Sequence, residues 1–302
     1  MRIALKVDVD TLRGTREGVP PLMRVSQQAG AGATFLFSLG PDHTGRAIRR
    51  VFRPGFLGKV SRTSVLEHYG LRTLLYGTLL PGPDIGRRAG DQMRAVRDAG
   101  FEVGMHCYDH IAWQDFVARR DAGWTARQMR LGIERFREIF SSAPQVHGAA
   151  GWQMTAAALA LEEQLGFEYA SDTRGTAPFV PLIDGRRSRV LQMPTTLPTL
   201  DELIGLDGRN ADNVHEVLLA HTAGTRGGRG GDSEVFTLHA ELEGMKLLPV
   251  MRRLVEGWSA QGHELVSLAA LCATLDRDAL PCCEVVSGIV PGRSGELACQ
   301  RT

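Results

Sequence analysis

Short apolar runs along the chain alternate with longer stretches in which apolar residues return every three or four positions. A short run bounded by turn residues reads as a buried strand, and the 3.6-residue return reads as a helix with one packed face. On this pattern strands are expected at Ile3 to Val9, Ala33 to Leu39, Glu102 to Met105, Gln145 to Ala149, Glu168 to Ser171, Val190 to Met193 and Val235 to Leu238. Helices are expected at Ile85 to Ala99, Thr125 to Phe140, Thr155 to Leu165 and Leu242 to Ala260. Strand and helix in alternation are the mark of βα units around a parallel sheet. The pattern therefore predicts an α/β fold, a (β/α) barrel of about seven or eight units that need not be complete. No repeat or linker divides it, so one domain is expected over residues 1–302.

Two segments interrupt the alternation. Gly40 to Pro83 is too long for an ordinary βα connection, and long insertions in compact domains usually carry function. Gly224 to Gly231 (GTRGGRGG) lies just before a strand but lacks the Lys-Ser/Thr ending of a phosphate-binding loop. The chain after Pro281 has no pattern that assigns an element.

Composition narrows the class. With 43% apolar and 23% charged residues the chain reads as globular, with enough apolar side chains for a large core. A net charge of +1 gives no global attraction to nucleic acid, and no nucleic-acid partner is expected. The five cysteines are odd in number and lack metal-finger spacing, which fits a reducing compartment better than a disulfide scaffold. MRIALKVDVD enters a strand without a signal-peptide core, and no apolar run reaches the roughly 18 residues of a membrane span. Work at a membrane would have to be done from its surface.

Candidate chemistry begins at the first strand. VDVDT puts Asp8 and Asp10 at its C-terminal end, where parallel α/β folds build their sites, and residues two apart on a strand share a face. Two carboxylates so close repel unless a cation lies near them, although one could instead cap the following helix. GMHCYDH supplies His106 and His110, spaced by four as in several zinc sites, though packed structural histidines share that spacing. Together the pairs change the odds, because two histidines and one carboxylate form a facial triad for Zn²⁺, Co²⁺, Mn²⁺ or Fe²⁺ with open positions. The second aspartate is then free to act as base. VFTLHAE delivers His239, a suitable general acid near neutral pH.

VDVDT, HCYDH, AAGW, SDTRG and TLHAE stand in the order of the segments of polysaccharide deacetylases, and the chain resembles that NodB-like family, which implies a distorted (β/α) barrel. Longer strings, DVDTLRGTREGVP, GPDHTGR, AAGWQ, QMPTTLPTLDELIG and TLHAELEG, resemble one branch of it, deformylases of a lipid-linked formamido sugar. The resemblance implies Asp10, His106 and His110 as ligands of a divalent Zn, Co or Mn ion, Asp8 as general base and His239 as general acid. It implies that the segment of Gly151 and Trp152 turns a backbone N–H to the developing oxyanion and that Asp172 supports the catalytic groups. The implied reaction removes formate from undecaprenyl-phosphate-linked 4-deoxy-4-formamido-L-arabinose, in lipid A modification and polymyxin resistance, at the cytoplasmic face of the bacterial inner membrane. The chain departs from the deacetylase pattern in having a residue between its aspartates, and His147 and Ala149 where Arg and Pro are usual. The arginine that holds the base is thus missing, and Arg13, Arg16 or Arg174 could replace it.

Arg13 and Arg16 also suit bidentate phosphate recognition, or ion pairing at the barrel rim. Within the insertion, Arg46 to Arg62 carries six basic residues and no acid, interleaved with apolar side chains. Such a stretch attracts anionic headgroups at about 1 kcal/mol per residue, so residues 40–83 are expected to face a membrane. The competing readings are a deacetylase of another amino sugar or polysaccharide, a cyclic amide hydrolase, and a lipid-surface binding protein without activity.

Overall fold

The computed structural model describes residues 1–47, 65–223 and 233–301, with side chains in the middle stretch from residue 70 on. The basic centre of the insertion, including Arg49, Arg50 and Arg53, lies outside the described residues, as does the GTRGGRGG loop.

All seven expected strands form, and an eighth joins them: β1 (Arg2–Val9), β2 (Thr34–Ser38), β3 (Glu102–Cys107), β4 (Val146–His147), β5 (Tyr169–Ala170), β6 (Leu191–Gln192), β7 (Ser233–His239) and β8 (Glu264–Val266). They pair in parallel in the order β7-β1-β2-β3-β4-β5-β6, with β8 beside the first half of β1. The chain beyond β6 turns back to β7, where the amides of Thr196 and Leu197 donate to the Val235 carbonyl at 3.1 and 3.2 Å. The distorted (β/α) barrel of the sequence reading is the observed architecture.

Strand pleat sorts the side chains into two layers. Ile3, Leu5, Val7 and Val9 of β1, with Phe35 and Phe37 of β2 and Phe236 and Leu238 of β7, form one core between the strands and the surrounding helices. The alternate residues Ala4, Leu36, Val146, Leu191 and Val235 form a second core. Burying each large apolar side chain contributes roughly 1.5–3 kcal/mol, so both layers fix the strand register. On β1 this second face continues from Ala4 through Lys6 to Asp8 and becomes polar toward the C-terminal end of the strand.

The packing helices include α1 (Val19–Gln28), α2 (Ile85–Asp98), α3 (His110–Phe116), α4 (Ala122–Phe140), α5 (Ala156–Leu165), α6 (Val214–Thr222) and α7 (Leu248–Ala260). Asp84, Asp109, Asp121 and Thr155 cap α2, α3, α4 and α5 by accepting from backbone N–H groups of the first turn. The last expected helix starts six residues late, at Leu248 rather than Leu242. Gly244 approaches the Gly18 carbonyl so closely that a β-carbon would lie 2.4 Å from its oxygen, which holds that stretch in turns. Pro249 then suits the first turn of α7.

The chain after Pro281 is ordered into strands Cys282–Ile289 and Glu296–Gln300, which join Val180–Ile183 and Arg186–Arg187 in a four-stranded second sheet. All five cysteines are free. Among the described residues no helix is long and apolar enough to cross a membrane.

Candidate active site

The C-terminal ends of β1, β3 and β7 meet. Asp8 lies in register with His239 on β7, and the turn after β1 carries Asp10. β3 ends with His106 and Cys107, and Asp109 caps the helix whose first residue is His110. This brings Asp10 Oδ1 to 3.3 Å from His106 Nε2 and 3.2 Å from His110 Nδ1. The Nδ1 of His106 faces Asp8 Oδ1 at 3.8 Å. Asp10 Oδ1, His106 Nε2 and His110 Nδ1 are all buried without a hydrogen-bond partner among the described residues. Buried polar atoms without partners are costly, and three that converge at ligand spacing fit a bound cation. Among the described residues, Asp10, His106 and His110 form one of two groups able to hold a metal ion.

The local electrostatics favour positive charge. Burial opposes ionisation of Asp10, but His110 and His106 outweigh it and hold the carboxyl well below the usual range. Burial likewise opposes charge on His110, yet Asp10 and then Cys107 raise its imidazole well above its ordinary value. Burial pushes His239 down, while the Asp201, Asp10 and Asp8 carboxylates pull the other way.

A shell of carboxylates fixes the backbone beneath these groups. Glu241 Oε1 accepts from the amides of Asp10 and Thr11, at 3.1 and 2.9 Å, and from the Thr11 hydroxyl at 2.7 Å. Glu243 Oε2 accepts from the His239 amide at 2.7 Å. Burial lifts both carboxyls to about 8, Glu241 with help from the Asp10 charge. Asp42 accepts from the Leu12 amide at 3.0 Å. Gly14 is required by this packing, since a β-carbon there would fall 1.9 Å from Glu241 Oε1. The strings LRGTREG and HAELEG are thus two sides of one contact.

The AAGW segment forms a tight turn in which Gly151 and Trp152 both have positive φ, +61° and +52°. Gly151 is left as the segment's candidate oxyanion donor, because the amide of Trp152 donates to the Ala149 carbonyl at 3.1 Å. The Trp152 ring meets His239 edge-on at 6.4 Å and carries the Arg293, Arg174 and Lys6 cations over it. Asp172 is a support: its Oδ1 accepts from the Ala149 amide at 2.7 Å and its Oδ2 from Gln192 at 2.6 Å.

The three arginines have other partners. Arg13 pairs with Glu17 at 2.9 Å, and Arg16 donates to the Arg88 carbonyl at 2.8 Å on α2. Arg174, expected as a substrate-binding candidate, is buried, bonded to Glu202 at 2.6 Å and to the Leu197 carbonyl at 3.3 Å. It braces the Trp152 wall instead. The cation at the aspartate is Lys6, whose Nζ lies 3.5 Å from Asp8 Oδ2. Sequence reasoning passed over Lys6, Glu241 and Glu243. For Lys6 the signal was present, since i and i+2 on a strand share a face.

Similar proteins agree with this arrangement at the level of fold and family. No family model matches the chain. A polysaccharide deacetylase structure from Mycobacterium smegmatis superposes over 95% of both chains with TM-score 0.65 at 15% identity. The PuuE allantoinase superposes over 90% of this chain and 89% of its own with TM-score 0.60 at 16% identity. These likenesses place the chain in the NodB-like deacetylase fold class. At the level of sequence, it is 34% identical over 99% of its length to a protein of Shewanella sediminis named probable 4-deoxy-4-formamido-L-arabinose-phosphoundecaprenol deformylase ArnD, 94% of which is covered. A protein of the same name from Wigglesworthia glossinidia brevipalpis is 28% identical over 95% of this chain and 98% of its own. The chain belongs to the ArnD deformylase family, a family of amide hydrolases.

Proposed function

We propose that the chain hydrolyses the formamide of undecaprenyl-phosphate-linked 4-deoxy-4-formamido-L-arabinose to the free amino sugar and formate. The observation that carries this reading is the meeting of Asp10, His106 and His110 beside Asp8 and His239 in a member of the ArnD family. Asp10, His106 and His110 would hold one divalent ion, Zn²⁺, Co²⁺ or Mn²⁺. Such an ion, when bound, polarises the formamide oxygen and acidifies water. Asp8, in contact with His106, takes the proton from the attacking water. His239 returns a proton to the departing sugar nitrogen. The Gly151 N–H, in the turn that Asp172 braces through Ala149, is the backbone donor assigned to the developing oxyanion. Arg13 and Arg16 remain the candidates for the substrate phosphodiester.

In this reading the chain is one domain, with residues 40–83 its membrane-facing insertion. It works as a peripheral protein at the cytoplasmic face of the inner membrane, in lipid A modification and polymyxin resistance. Leu71 and Leu79, 67% and 81% exposed at the end of that insertion, support a surface that enters the lipid interface. A panel of N-formyl, N-acetyl and cyclic-amide substrates tests the reaction. Turnover is expected for the lipid-linked formamide alone, and faster turnover of an acetamide or a cyclic amide would refute the proposal. Flotation with anionic liposomes tests the surface: the Arg49/Arg50/Arg53→Glu variant should stay in the soluble fraction, and wild-type binding by that variant removes the membrane role.

A further inference from the structure

Lys6 has no exposed surface. A buried ammonium group is costly unless it is paired and hydrogen-bonded. Its Nζ donates to the Ser171 carbonyl at 2.7 Å, at the far side of the barrel interior from β1. It also lies 3.5 Å from Asp8 Oδ2 and 5.5 Å from the centre of the Trp152 ring. Asp8 therefore has the lysine at Oδ2, while its buried Oδ1 has no hydrogen-bond partner among the described residues and lies 3.8 Å from His106 Nδ1. Gly148 packs beside the lysine, where a β-carbon would lie 2.4 Å from Leu36 Cδ1, 3.3 Å from Lys6 Cε and 3.5 Å from Nζ. Gly148 stands between His147 and Ala149, in the segment where this chain lacks an arginine.

We propose that Lys6 is the positioning residue for Asp8, a cation delivered from the same strand as the aspartate. Its ammonium is tied to the Ser171 carbonyl and fixes the carboxylate at Oδ2, which leaves the unpartnered Oδ1 free to take the proton. Charge pairing across i and i+2 needs no second element to arrive, so the base is set by the register of β1 itself. The proposal rests on Asp8 being the general base.

The test compares Lys6→Met, Lys6→Arg and Asp8→Asn, each loaded with one divalent ion, on the lipid-linked formamido sugar. Lys6→Met is expected to lose about 10²-fold in kcat, with KM within about threefold and metal content unchanged, as for a misplaced catalytic group. Lys6→Arg should recover most of that loss, and Lys6→Met should add less than about threefold in the Asp8→Asn background. A Lys6→Met enzyme within threefold of wild-type kcat overturns the proposal, as does a Lys6→Arg enzyme no better than Lys6→Met. If Asp8→Asn keeps wild-type turnover while Lys6→Met does not, the base assignment itself fails. Should Lys6→Met not fold, the double Lys6→Met/Asp8→Asn variant must regain the fold, and a double variant equally unfolded would overturn the pairing.

Discussion

Two histidine–carboxylate clusters occupy this barrel, and they differ in what fills them. Asp10, His106 and His110 bring three unpartnered atoms together, with 3.2 and 3.3 Å between them. His147, Glu162 and Asp172 lie fully buried, and His147 Nδ1 is 2.6 Å from Glu162 and 3.1 Å from Asp172. Those are hydrogen-bond contacts, so protons already occupy that centre. The unpartnered atoms of the second cluster, His147 Nε2 and Glu162 Oε2, are not the ones that make its 2.6 Å contact. Both clusters have the residue types of a metal site. In the proposed reading, convergence of orphaned atoms is what separates a chemical centre from a structural one.

The sharpest way to break this contrast is to remove a residue from each. Asp10→Asn or His106→Ala should lose bound metal and at least about 10³-fold in kcat. Asp8→Asn or His239→Ala should lose about 10²–10⁴-fold while keeping the metal, read by elemental analysis beside turnover. His147→Gln should do the reverse. It should keep metal stoichiometry yet lose about 3–5 kcal/mol of stability in urea, because the buried Asp172 carboxylate is left without its counter-charge. Metal loss in His147→Gln would show that the two centres are one.

The pH dependence of stability sharpens the same difference. Burial works against charge on His147, but Asp172 and then Glu162 outweigh it and push the imidazole up to about 10. A histidine whose folded pKa is raised contributes fully below its unfolded value of about 6.5 and loses that contribution as pH climbs toward 10. The wild-type Tm should therefore fall between roughly pH 6.5 and 10, and His147→Gln should flatten that limb. An equally steep limb in the variant would contradict the assignment. The smallest effect is expected at the exposed insertion, where Leu79→Ser should change stability by less than about 0.5 kcal/mol. Its liposome binding should nonetheless weaken.

Much of the fold was legible because strand pleat and helix period are local properties. The seven expected strands and the aspartate and histidine pairs were written in VDVDT and HCYDH. What escaped was set by tertiary contact. β8 is three residues long, and the C-terminal strands alternate at half-exposed positions with little apolar contrast. The late start of α7 depends on Gly244 meeting the Gly18 carbonyl, which no window of sequence displays. The cation expected at Asp8 is an arginine, Arg13, Arg16 or Arg174, yet Lys6 stands there, two residues earlier on the same strand. Nothing in the local pattern marks Glu241 and Glu243, whose part lies in their burial and in the Asp10 and His239 amides they accept from.

The most direct test of the open cluster measures bound metal and released formate together on the lipid-linked formamido sugar. One divalent ion per chain, loss of formate release on chelation and its return on adding the ion back are predicted, with Asp10→Asn binding none and releasing none. Full formate release from the chelated enzyme, or stoichiometric metal retained by Asp10→Asn, would contradict the account.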